Sequence, residues 1–297
     1  MLYTYPPEML VGVVPAKRVI MLRRTSKTLC NAVEKANLKA VVKAREGVTF
    51  TNGIGLVDEL DKMNAWCRVT DLNLEKCDLK KRGGRALADW LRLNTTVVSL
   101  DLSSNALRRT GARALAEALC LNTTVVSLNL DKNKIRVEGW EAIAETLTRN
   151  TTLANLILSE NQRGKKGGPA LAQALRHNNT LTSLDLSYNQ LDDDAGQLLA
   201  LAVRDNTALT NLNLHCNWIR DGTGFELADM LRTNTTLTSL NIRLSSITDS
   251  AGFEIADAMR SNTTLRHLDF AGSDMEWAGQ EYFEEMRPFN TTCEFEL

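Results

Sequence analysis

The sequence predicts an α/β solenoid, a parallel inner sheet with helices outside, made of stacked strand–helix units behind a small helical N-terminal cap. Three observations predict it. From Val69 onward the chain repeats every 28 residues, with units starting at Val69, Val97, Val125, Leu153, Leu181, Leu209, Leu237 and Leu265. Eight such units cover 69–292 without an insertion or deletion. Within each unit the apolar pattern changes from strand alternation to helical spacing, and neither half can bury its face alone, so stacked units share one core. A chain of 297 residues exceeds one ordinary compact core, and its 43% hydrophobic and 24% charged residues belong to a folded protein.

In chain order, residues 1–40 are expected to form the helical cap. They carry Pro6-Pro-Glu-Met-Leu10, then Pro15-Ala-Lys-Arg-Val19, then Leu22-Arg-Arg-Thr-Ser-Lys-Thr-Leu29 with Ala32-Val33. This resembles an F-box, which implies docking of a Skp-type adaptor and a role as substrate receptor of a ubiquitin ligase. The stretch between Glu8 and Pro15 is about three residues short of the family spacing, and Leu29 stands where the family has an aromatic. The alternative is a cap that only covers the open end of the core. Residues 41–68 look like a degenerate capping repeat, with a strand over Val48-Thr-Phe50 and a helix from Leu56 to Met63.

Residues 69–297 are the solenoid. A typical unit, 181–208, begins Leu181, Leu184, Leu186, Asn189, Leu191, a short strand and tight turn with two leucines on one face. Its second half spaces apolar residues three and four apart, an amphipathic helix of about three turns. Gly83, Gly111, Gly139 and Gly167 mark the expected helix starts. The pattern resembles the leucine-rich repeats of the ribonuclease-inhibitor type. That resemblance implies a ladder of turn residues at frame position 9: Cys77, Asn105, Asn133, Asn161, Asn189, Asn217, then the shorter Ser245 and Ser273. It also implies a lesser possibility, a regulator of a small GTPase or a nuclease.

Position 26 is Asn in every unit, and seven of these begin formal glycosylation sequons: Asn94, Asn122, Asn150, Asn178, Asn234, Asn262 and Asn290. Their place after each helix suggests a helix stop in left-handed geometry rather than glycan attachment. After Pro288 the tail Cys293-Glu-Phe-Glu-Leu297 alternates and can add an edge strand.

Catalysis is not expected. His177, His215 and His267 are scattered, and no triad or metal spacing occurs, so no cofactor or metal is predicted. Arg163-Gly-Lys-Lys-Gly-Gly168, before a helix expected near Pro169, does not match a Walker A loop. It is a locally irregular loop or a phosphate site. The six cysteines (Cys30, Cys67, Cys77, Cys120, Cys216, Cys293) form no CxxC pair, and no window reaches the ~18 apolar residues of a membrane span. With no signal-peptide pattern at the N-terminus, an intracellular, cytoplasmic protein is expected.

Binding residues are sought where units depart from their own consensus. On the concave side these are Ile157, Tyr188, His215, Trp218, Arg243, Leu244 and His267. Tyr, Trp and Arg are the types enriched in interface anchors. Phe225 and Phe253 share a helical frame position and are expected to pack together or to meet a partner. Positions 12–14, expected as the turn before each helix, carry a basic rim of Lys80, Lys81, Arg82, Arg108, Arg109, Arg136, Lys165 and Lys166. Later units carry an acidic rim of Asp192, Asp193, Asp194, Asp221, Asp249 and Glu276.

The formal net charge of −1 hides this polarity. Residues 1–180 hold 28 basic and 17 acidic side chains, and residues 181–297 hold 7 and 19. Other proteins are the expected partners, met by a scaffold or adaptor subunit of a larger complex. Nucleic acid is not, because the inner face lacks aromatics interleaved with basic residues.

Overall fold

The computed structural model describes residues 18–21, 40–43, 56–58, 60, 61, 69–161 and 164–297. Val48–Phe50 and nearly all of the F-box-like segment lie outside them. Strands β1 (Arg18–Met21) and β2 (Ala40–Lys43) precede the repeats. Each unit then supplies one strand: β3 (Val69–Asn73), β4 (Ser99–Asp101), β5 (Ser127–Asn129), β6 (Asn155–Ile157), β7 (Ser183–Asp185), β8 (Asn211–Asn213), β9 (Ser239–Asn241) and β10 (His267–Asp269). The tail adds β11 (Glu294–Glu296), with Phe295 opposite Leu268.

Among the described residues, all eleven strands form one parallel sheet in sequence order. The sheet thus begins inside the segment expected to be a helical cap. Register follows the repeat: Leu72 faces Leu100, which faces Leu128.

The helices of the eight units are α1 (Lys80–Leu91), α2 (Arg108–Leu119), α3 (Arg136–Leu147), α4 (Gly164–Leu175), α5 (Asp193–Arg204), α6 (Asp221–Thr233), α7 (Asp249–Ser261) and α8 (Trp277–Met286), and residues 56–58, 60 and 61 before them are helical too. Leucines at frame positions 4 and 6, such as Leu100 and Leu102, are buried against the apolar face of the helices, such as Leu115 and Leu119. Each is worth about 1.5–3 kcal/mol when fully buried.

Four expectations about local structure are corrected. The glycines do not start the helices. Helices α1 to α4 begin three residues earlier, so the predicted rim turn is their first turn. Gly139 is small because a Cβ there would collide with Ile135 Cγ2, where the first turn crosses the preceding apolar residue. Likewise Pro169 lies inside α4, not at its start. The position-26 asparagines are not left-handed: Asn234 and Asn262, which cap α6 and α7, have φ of −73° and −74° in extended backbone. Phe253 does not stack on Phe225; its ring meets Tyr282 edge-on at 5.1 Å.

Three side-chain ladders join the units. The first is the predicted one. Asn161, fully buried, donates from Nδ2 to the carbonyls of Leu130, Leu158 and Ser159 at 2.9–3.0 Å. Its Oδ1 accepts from the backbone N–H of Asn133 at 2.9 Å and of Ile135 at 3.3 Å. Asn105, Asn133, Asn189 and Asn217 repeat the arrangement.

Cys77 starts this ladder, with Sγ donating to Glu75 O at 3.5 Å. Burial, then Asp101 and Glu75, push its thiol up to about 11, which suits a structural thiol. At the other end the serines are too short to continue, and the buried Ser245 Oγ has no partner among the described residues.

The second ladder is built by the position-26 asparagines. Asn122 is buried, donates to Leu91 O and Asn94 O, and accepts from the N–H groups of Thr124 and Val125. An amide nitrogen so engaged is closed to a glycan. These asparagines satisfy the last carbonyls of the preceding unit's helix, which would otherwise be orphaned in the core.

Candidate functional site

The third ladder divides the molecule. In units five to eight, position 12 is extended, as in Asp192, Arg220, Thr248 and Glu276, and position 13 of units five to seven is Asp. Each aspartate reaches into the next unit. Asp193 accepts from Arg220 N (2.9 Å), Thr223 N (2.8 Å) and Thr223 Oγ1 (2.7 Å). Asp221 accepts from Thr248 N and Oγ1, both at 2.7 Å, and Asp249 accepts from Glu276 N at 2.8 Å.

Burial opposes ionisation of Asp193, but the hydrogen bonds from Thr223, Arg220 and Gln197 outweigh it and hold the carboxyl below the usual range. Much of the acidic rim is therefore built into the scaffold. Asp192 is tied down too, capping α5 through Ala195 N, while Asp194 is exposed.

In units one to three, position 12 is instead left-handed: φ is 53° at Lys80, 56° at Arg108 and 62° at Arg136. The N-cap residues of these helices, Leu79, Leu107 and Ile135, provide no side-chain cap, and the basic residues are exposed. Lys80 pairs with Asp78 at 2.8 Å and Arg109 with Glu138 at 3.2 Å. Lys81, Arg82, Arg108, Arg136 and Lys166 are exposed and form no ion pair among the described residues. Arg163 lies outside the described residues, as does the side chain of Lys165.

The concave candidates converge in part, at the C-terminal ends of the strands. Tyr188 and His215 meet edge-on, ring centroids 4.8 Å apart, with Tyr188 Oη 2.9 Å from His215 Nε2. The enclosed His215 Nδ1 has no partner among the described residues. Backbone bonds Tyr188 N–H to His215 O and Cys216 N–H to Arg243 O lock these turns side by side. Left-handed backbone at Tyr188 (56°) and Leu244 (51°) sets the direction of both side chains.

The outcome is a surface of Tyr188 (46% exposed), Trp218 (60%) and Leu244 (45%), beside the exposed Arg243. Two candidates fall outside it. His267 pairs with Glu294 of β11 at 3.0 Å, and Ile157 is half-buried on β6 opposite Asp185.

The uniform polar residues around this surface hold turns. Asp185 accepts from Ser187 N and Oγ, and Asn213 from His215 N. Sequence reasoning missed Leu93 (86% exposed) and Leu121 (64%), on the rim where the helices end. The signal was available: the next five units carry Arg149, His177, Asp205, Thr233 and Ser261 at that frame position. Among the described residues no group of three or more His, Cys, Asp or Glu is placed to hold a metal ion. No helix among them is long and apolar enough to cross a membrane.

A match to a repeat family fits this geometry. Residues 93–116, 121–144, 177–200 and 233–256 match the leucine rich repeat family. The chain is a leucine-rich-repeat protein. A search of curated proteins gives no match. Among solved structures, "Leiomodin-1 Actin-Binding Site 2 (ABS2)" is similar over 52% of this chain and 90% of that chain, at 20% identity and a TM-score of 0.44. In this leucine-rich-repeat protein the matched segments run through units one to seven, on both sides of the change in rim structure.

Proposed function

We propose that this protein is a non-catalytic interaction scaffold, an adaptor subunit that docks other proteins through its concave surface and its rim. One observation carries the reading. Three large apolar side chains, Tyr188, Trp218 and Leu244, stand exposed beside Arg243 on an otherwise small, polar, self-satisfied face. They contribute little to the core, and rigid aromatic and Arg side chains are what interface anchors are made of. The inner sheet fixes their backbones, so little conformational entropy is lost on binding.

The test is affinity capture with the intact protein and with Tyr188→Ala, Trp218→Ala and Arg243→Ala combined. Partners captured by the first and lost by the second, at unchanged stability, support the scaffold; partners retained by both remove the patch. The F-box resemblance of residues 1–40 motivates a narrower reading, a substrate receptor of a ubiquitin ligase. That reading requires a Skp-type adaptor and a cullin among the captured proteins, and fails without them.

A further inference from the structure

We propose that the first turns of α1 to α4 form a docking ridge for an acidic polypeptide segment of another protein. This rests on the scaffold reading and names one partner class for its rim. The ridge is made of Lys81, Arg82, Arg108, Arg136 and Lys166, all exposed and none in an ion pair among the described residues.

No ion pair among the described residues offsets these charges, and only Arg136 acts on a neighbouring carboxylate, Glu138, through space. A helix N-terminus carries positive partial charge, so cations there are unfavourable. Arg108 and Arg136 also sit in left-handed backbone, which long side chains rarely adopt. Units five to seven show the favourable solution at the same place, an acidic residue bonded to its neighbour. Four adjacent units lack that aspartate and present cations, Glu138 of α3, paired with Arg109, being the one first-turn carboxylate described among them, in the half of the chain that holds 28 basic against 17 acidic residues. An external anion accounts for that arrangement.

Spacing and surroundings select the anion. Packed helices lie about 8–10 Å apart, so four first turns span roughly 24–30 Å. An extended chain rises ~3.3 Å per residue, so a run of about eight acidic residues covers the ridge. Binding sites for single-stranded nucleic acid combine charge with aromatic platforms for the bases. In units one to four no aromatic side chain is exposed among the described residues; Trp90 is 7% exposed and Trp140 is fully buried. A polypeptide needs only the charges.

The test uses the full chain and a labelled 12-residue oligoglutamate, with a 12-nucleotide oligouridylate and anionic phosphatidylserine vesicles as competing probes. The ridge variant is Arg108→Asn with Arg136→Asn, since Asn tolerates left-handed backbone. The control, Arg149→Asn with Arg176→Asn, removes the same charge from the exposed opposite ends of the helices. We expect salt-sensitive peptide binding, weakened about tenfold or more in the ridge variant and less than twofold in the control. The ridge variant should melt no lower than the parent.

Four results would overturn the proposal: no peptide binding, equal loss in the control, tighter binding of the RNA or the vesicles, or salt-sensitive self-association in place of peptide binding. A Tyr188→Ala, Trp218→Ala variant should keep its peptide affinity. Loss of the ridge alone therefore leaves the concave reading standing, and the reverse.

Discussion

Replacing Asn161 with Ala tests the physical basis of the stack. The side chain is fully buried and ties its own turn to the preceding unit. Truncation leaves two donors, the N–H groups of Asn133 and Ile135, without their acceptor, and removes three bonds to carbonyls. A buried polar group left unsatisfied costs ~1–3 kcal/mol. The two donors alone give about 2–6 kcal/mol, and we expect a loss near 4 kcal/mol. Asn161→Asp should be no better, because a carboxylate keeps the acceptor but faces three carbonyl oxygens. Because stacked repeats unfold as coupled neighbours, the assay is urea denaturation followed by both circular dichroism and tryptophan fluorescence. Ser127→Ala, on the polar face of β5, is the control and should change stability by less than about 0.5 kcal/mol. A loss below about 1 kcal/mol for Asn161→Ala would refute the ladder as the element that couples units.

Two further outcomes follow from the same accounting. Ser245→Asn should raise stability by about 1 kcal/mol, because the longer side chain reaches partners that the orphaned Ser245 Oγ misses; an unchanged denaturation midpoint would contradict this. The depressed Asp193 carboxyl contributes stability that is present above its unfolded value near 3.9 and is lost as pH falls through its lower folded value. The advantage of the parent over Asp193→Asn, on the order of 1–2 kcal/mol, should hold above about pH 5 and shrink in strongly acid solution. A gap that widens on acidification would reverse the sign of the argument.

Much of the fold was legible because the 28-residue period never slips. A period without insertions places every Leu, every Asn161-type rung and every strand partner by arithmetic. The helix starts were not legible. Gly83 and its equivalents carry a packing constraint from Leu79 and Ile135, which looks in sequence like a helix boundary. The rim was legible as charge but not as structure. Charge separates Asp193 from Arg108 in the sequence, but backbone decides where each goes: extended before Asp193, so the carboxylate turns onto the next unit, and left-handed at Arg108, so the side chain points out. Within the concave candidates, Tyr188, His215, Trp218, Arg243 and Leu244 gather because frame positions 7, 8 and 10 end the strands together. His267 fell away because β11 supplies Glu294 as its partner, a contact that the repeat frame alone does not contain.

The central claim is that partners are held on the concave surface around Trp218. The most direct measurement is site-specific photocrosslinking, with a photoreactive phenylalanine analogue placed in turn at Trp218, at Leu244 and at the exposed helical residue Gln173. The account predicts partner adducts from positions 218 and 244 and none from 173. Adducts from 173 alone, or equally from all three positions, would contradict it.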